Sequence, residues 1–184
     1  VGNVDYYSPV SVTLNSVATT AQIFARNFGS EHPNILSSDL LDDKTVNSYW
    51  AFDDNSSVYT SADITFNWNP AQVDGGANTN NFRVDQYYSD ATTWTLLPSI
   101  NQLPTSVTAT GITSLTDMSY AVGETVPATL DDYRTVGSGN WSDAANWQRY
   151  DGTSWVTAVT APSVSANLIR IREGHNITVN SAVT

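Results

Sequence analysis

Ala62-Asp63-Ile64-Thr65-Phe66-Asn67-Trp68 places Ala, Ile, Phe and Trp at alternate positions, with Asp, Thr and Asn between them. Successive side chains of a strand point to opposite faces, so this run predicts an antiparallel strand with one face in a core and the other in water. Val10-Ser11-Val12-Thr13-Leu14, Ile23-Phe24-Ala25-Arg26, Phe82-Arg83-Val84-Asp85, Trp94-Thr95-Leu96, Val107-Thr108-Ala109 and Tyr120-Ala121-Val122 repeat the pattern. Tyr49-Trp50-Ala51-Phe52 is apolar throughout and predicts a strand buried on both faces or crossing the core. Asp53-Asp54-Asn55, Asn69-Pro70 and Asp74-Gly75-Gly76 supply turn chemistry between the runs. Strands spaced by roughly 10–15 residues, with no helical stretch of similar strength, predict an all-β antiparallel β-sandwich. One short helix is expected around Ser37-Ser38-Asp39-Leu40-Leu41.

The alternation stops at Glu124-Thr125-Val126-Pro127-Ala128-Thr129-Leu130-Asp131-Asp132. We therefore expect a sandwich over 1–126, a linker over 127–132 and a second, small, Trp-rich β unit over 133–184. In that second unit Gly139-Asn140-Trp141-Ser142-Asp143-Ala144-Ala145-Asn146-Trp147 is turn-forming sequence, with Trp155 following after Asp151-Gly152-Thr153-Ser154. Leu168-Ile169-Arg170-Ile171-Arg172 and Asn176-Ile177-Thr178-Val179 alternate cleanly, with Glu173-Gly174-His175 between them. Two short strands seldom stand alone, so this unit is expected to be incomplete, with an edge open to neighbouring modules or to identical chains joining head to tail.

Composition narrows the function classes. Lys+Arg number 7 against 18 Asp+Glu, a formal net charge of -11, and Lys44 is the only lysine. So acidic a chain repels phosphate backbones and anionic lipid surfaces, which argues against nucleic acid and membrane partners. No apolar run approaches the roughly 20 residues of a membrane-spanning helix. There is no Cys, which excludes disulfides, thiolate catalysis and thiolate metal sites. Charged residues are 14% of the chain, against roughly 25% in an average soluble protein, so the polar surface falls to Ser, Thr and Asn.

Two places resemble the large repetitive surface proteins exported by the type IX system of Bacteroidota, the group that includes gliding-motility adhesins. The first runs from Val46-Asn47-Ser48-Tyr49-Trp50 through Ile64-Thr65-Phe66-Asn67-Trp68 and Trp94 to Tyr120-Ala121-Val122-Gly123-Glu124. Ser48 stands where that family has Arg, and Tyr120 where it has Phe. The second runs from Tyr133-Arg134 through Trp147 and Trp155 to Ile177-Thr178-Val179, and it resembles the opening rung of a parallel β-helix-like module. The resemblance implies extracellular or cell-surface display and structural or adhesive work, in a filament or large surface protein, with no catalytic residues to carry over.

The residues themselves add two candidate sites. Clustered acids suit hard cations, because calcium takes six to eight oxygen ligands. Asp53, Asp54, Asp131 and Asp132 are the candidate calcium ligands, and no other cofactor is expected. Trp141, Trp147 and Trp155 lie among turn residues, where an indole either plugs a module end or stacks on a sugar. Gln86-Tyr87-Tyr88 adds tyrosines for an interaction face. His32 and His175 read as polar loop and turn residues. No nucleophile-elbow sequence is present, so no catalytic residue is assigned. The expected function is a non-enzymatic structural or adhesive module, and the alternative is a carbohydrate-binding module with glycans as partners.

Overall fold

The computed structural model describes residues 2, 5–19, 22–125, 128–152, 155–172, 175–180 and 182–183. Among these the regular structure is strand and short 3-10 turn, with no α-helix. The chain divides into two compact units, Val1–Val126 and Pro127–Thr184.

Among the described residues of the first unit are nine strands: β1 (Val10–Asn15), β2 (Gln22–Phe28), β3 (Leu40–Asn55), β4 (Ser61–Asn67), β5 (Phe82–Tyr88), β6 (Thr93–Leu97), β7 (Ser99–Leu103), β8 (Ser106–Ile112) and β9 (Met118–Thr125). They form a four-stranded sheet in the order β1-β4-β8-β7 and a five-stranded sheet in the order β2-β3-β9-β5-β6. Every pairing in both sheets is antiparallel. This is a β-sandwich.

Its core follows from the alternation. Ala62, Ile64 and Phe66 are fully buried and Trp68 is 4% exposed, while the residues between them are partly wetted. They meet Trp50, Phe52, Phe82, Val84 and Tyr120 from the other sheet and Val107 from the neighbouring β8. Phe66 lies 5.1 Å from Trp50 and 5.3 Å from Tyr120, ring centre to ring centre. Burying one such side chain contributes about 1.5–3 kcal/mol. The Trp50 indole N–H donates to the Ser8 carbonyl, tying the segment before β1 onto the core.

β3 serves both faces of its sheet. Trp50 and Phe52 enter the inner core, whereas Leu40 joins Ile35, Tyr87, Trp94 and Ala121 in a second cluster. Its register against β9 shifts between Leu40 and Thr45 and again between Thr45 and Tyr49. Gly123 lies against the first irregularity, and a Cβ there would come within 2.9 Å of the Lys44 carbonyl oxygen. The expected helix at 37–41 is absent. Instead a 3-10 turn, Ile35–Ser37, ends where the Ser38 hydroxyl accepts the Leu40 N–H, and β3 begins at Leu40.

The second unit contains β10 (Tyr133–Thr135), β11 (Gly139–Asn140), β12 (Trp147–Tyr150), β13 (Trp155–Thr157), β14 (Ile169–Arg170) and β15 (Ile177–Thr178). β12 pairs antiparallel with β10 and with β13. β14 and β15 pair parallel with β10 and β11. Tyr133 faces Ile169 and Gly139 faces Ile177, so residues 36 and 38 positions apart lie side by side. Trp147 is fully buried at the centre, with Tyr133 and Ala158 around it. Thr153-Ser154 and Glu173-Gly174, in the two expected turns, lie outside the described residues. No helix among the described residues is long and apolar enough to cross a membrane.

Candidate interaction surfaces

The four acids proposed for calcium have separate surroundings. Asp53 and Asp54 are adjacent on β3 and so point to opposite faces. Asp53 accepts the Asp54 N–H at 2.8 Å, and Asp54 accepts the Ser57 N–H at 2.9 Å, which shapes the turn into β4. Asp131 has a positive φ of 70° and forms an ion pair with Arg149. Its hydrogen bond raises the Arg149 guanidinium pKa further. Asp132 is 2% exposed and accepts both the Thr129 N–H, at 2.7 Å, and the Thr129 hydroxyl, at 3.0 Å. The carboxylates of Asp53, Asp54 and Asp132 therefore hold backbone turns, and that of Asp131 holds Arg149. Among the described residues no group of three or more His, Asp or Glu side chains converges as a metal site would require.

The three tryptophans of the second unit differ from one another. Trp147 is core, and its N–H donates to the Trp141 carbonyl. Trp141 is half-buried, packs edge-on against Trp147 at 5.0 Å and donates to the Pro162 carbonyl. Both plug the unit. Trp155, on the edge strand β13, has the Arg134 guanidinium 4.5 Å from its ring centre and Tyr150 at 5.4 Å, tilted by 60°. The Gln148 side chain accepts from Arg134 Nε, which holds the guanidinium in place. A sugar platform needs an open, flat indole face, and here the Arg134 guanidinium lies over one face of the ring.

The tyrosine pair also splits. Tyr87 is 7% exposed inside the second cluster of the sandwich, and only Tyr88 reaches solvent. Adjacent strand residues must face opposite sides, so both could not serve one surface.

His32 is buried, contrary to its reading as a polar loop residue. Its ring sits among Tyr49, Tyr87 and Trp94, each with its centre 4.8–4.9 Å away. Loss of solvation pushes its pKa down to about 4. The signal for this cage was the opposite parity of the sheet: Tyr49, Tyr87 and Trp94 all face away from the inner core and need cover. His175 Nδ1 and the Thr135 hydroxyl share a hydrogen bond at 2.7 Å, and the His175 pKa is lowered by burial and then by Arg172.

A further polar knot joins the start of β3 to the loop after β4. Thr45 contacts Glu31 and Asp74 through its hydroxyl, and Asn47 donates to Asp74 at 2.6 Å. Burial raises the Glu31 pKa, the Thr45 hydroxyl opposes that rise, and Asp74 and Asp42 add to it by repulsion.

No protein-family model, curated protein or solved structure matches the chain.

Proposed function

We propose that the chain is a non-enzymatic structural module of a large extracellular surface protein, with a sandwich followed by the opening coil of a parallel β solenoid. One observation carries this reading: β10 pairs parallel with β14 and β11 pairs parallel with β15, so the segments that hold them lie side by side at Tyr133–Ile169 and again at Gly139–Ile177. Backbone bonds join them in the straight parts, from Tyr133 N–H to the Leu168 carbonyl at 2.7 Å, Gly139 N–H to Asn176 at 3.0 Å and Trp141 N–H to Thr178 at 2.8 Å. At the corner hydroxyls take over, with Thr135 accepting the Arg172 N–H and Ser138 accepting the Asn176 N–H, each at 2.9 Å.

Stacked coils bury what one coil cannot cover. On the second coil Leu168, Ile171 and Val179 are 45%, 48% and 60% exposed, which suits a following coil laid against β14 and β15. The far side of β10 is already taken by β12. A following coil, rather than an identical chain stacked head to tail, is therefore the partner this edge fits. Display outside the cell rests on the resemblance to exported adhesins alone.

The test is a chain carrying a second copy of residues 133–180 directly after the first. Nearest-neighbour coupling between coils predicts one cooperative transition at a higher melting temperature. Two copies that melt independently, with the first unchanged, would refute the solenoid reading.

A further inference from the structure

We propose that the outer face of the five-stranded sheet, at β2 and β3, binds a neutral oligosaccharide. Along β2 the inward positions are Ile23, Ala25 and Asn27, while Phe24, Arg26 and Phe28 face outward. Phe24 is 51% exposed and Phe28 37% exposed, so the larger aromatic area of this strand lies on the solvent side. The outer face of the other sheet is built differently. There Asp63, Thr65 and Asn67 stand beside Thr108, and the Thr65 and Thr108 hydroxyls meet at 2.9 Å.

The aromatic face has relief as well as chemistry. Phe24, Arg26, Ala51, Phe52 and Asp53 line a groove of about 380 Å³, within the range of about 300–1,000 Å³ for ligand pockets. Ala51 lies directly opposite Arg26 and next to Ser119, so small side chains make the floor. Phe24 lies directly opposite Asp53, which puts an aromatic face and a carboxylate acceptor side by side.

Arg26 and Asp53 are diagonal neighbours on adjacent strands, with Cβ atoms roughly 7–8 Å apart, and they form no ion pair with each other. A carboxylate acceptor and a donor cation, set apart on adjacent strands over a small floor, suit the vicinal hydroxyls of a pyranose. The C–H face of the same ring would lie on Phe24, as apolar sugar faces do on aromatic rings. Charge selects against acidic glycans. Residues 1–126 carry thirteen Asp and Glu against Arg26, Lys44 and Arg83, so an anionic chain is repelled before it reaches the groove.

The proposal is independent of the solenoid reading, because it concerns the sandwich alone. Its test is titration of xylohexaose, cellohexaose and mannohexaose into the isotopically labelled full chain, followed by amide chemical shifts, with hexagalacturonate as the anionic control. The expected result is a saturable shift confined to residues around Phe24, Arg26, Ala51 and Asp53 with at least one neutral sugar and none with the control. Phe24→Ala and Arg26→Gln should each weaken that binding by roughly tenfold with the melting temperature unchanged. The proposal is overturned by silence of these residues at millimolar sugar, by shifts centred on Trp155, or by binding that both variants retain. It is equally overturned if the same residues shift on concentrating the protein without sugar, which would make the face a self-association surface.

Discussion

His32 Nε2 lies 2.9 Å from the Ser119 hydroxyl, while His32 Nδ1 accepts the Asn34 backbone N–H at 3.1 Å. With Nδ1 occupied as an acceptor, the ring is neutral and Nε2 carries the proton that points at Ser119. Protonation would put a second N–H against the Asn34 donor inside a cage of three aromatic rings. Geometry and desolvation thus favour the same neutral tautomer.

This relationship predicts a pH dependence. The His32 pKa falls from 6.5 to about 4 on folding, so between those values the unfolded chain binds the extra proton. The contribution of His32 to stability is therefore complete above pH 6.5 and is lost as pH falls towards 4, by an amount on the order of 2 kcal/mol. Urea denaturation at pH 7 and pH 4.5 should show the loss in the parent chain and a smaller loss in His32→Gln. Equal losses in both would contradict this account of His32.

Trp50 and Trp68 are both core, but only Trp50 has a hydrogen-bond partner for its indole N–H. The Trp68 N–H is buried with no partner among the described residues. Either Trp→Ala substitution should cost about 3–5 kcal/mol. Trp50→Phe should exceed Trp68→Phe by about 1 kcal/mol, the worth of one hydrogen bond. Chemical denaturation of the four variants checks both the size and the order.

Asp132 should matter through Thr129. Replacing it with Ala removes the acceptor of the Thr129 N–H and hydroxyl in a part-buried turn, at a cost of about 1 kcal/mol. Hydrogen exchange should place the loss in residues 128–152 and leave protection in the sandwich strands unchanged. A uniform loss across the chain would show that the turn is not a local fastener.

The fates of Asp53, Asp54, Asp131 and Asp132 predict that added calcium, or a chelator, leaves the melting temperature unchanged. A ligand bound only to the native state would raise it by mass action. A rise with calcium, abolished by Asp54→Asn, would restore the cation reading.

What could be read from sequence was whatever depends on near neighbours. The run from Ala62 to Trp68 fixes its buried face by parity alone, and the structure keeps that face. β7 escaped notice because Ser99-Ile100-Asn101-Gln102-Leu103 is an edge strand with both faces partly wet, and its alternation is weak. Ser37-Ser38-Asp39 suggested a helix start, but pairing of Leu40 with Thr125, 85 positions away, draws the chain into β3. The His32 cage draws Tyr49, Tyr87, Trp94 and Ser119 from four strands; parity shows that the three rings face away from the inner core, but no local pattern says that His32 covers them. The parallel stacking of β10 on β14 and of β11 on β15 is likewise long-range, although the alternation around Ile169 and Ile177 marked β14 and β15.

The stacking of the two coils is the central claim, and amide exchange at Tyr133, Gly139 and Trp141 tests it most directly. Their N–H groups donate to Leu168, Asn176 and Thr178 across the parallel pairs. The account predicts slow exchange at all three, together with cross-strand contacts from Tyr133 to Ile169 and from Gly139 to Ile177. Rapid exchange at all three, with neither cross-strand contact seen, would contradict it.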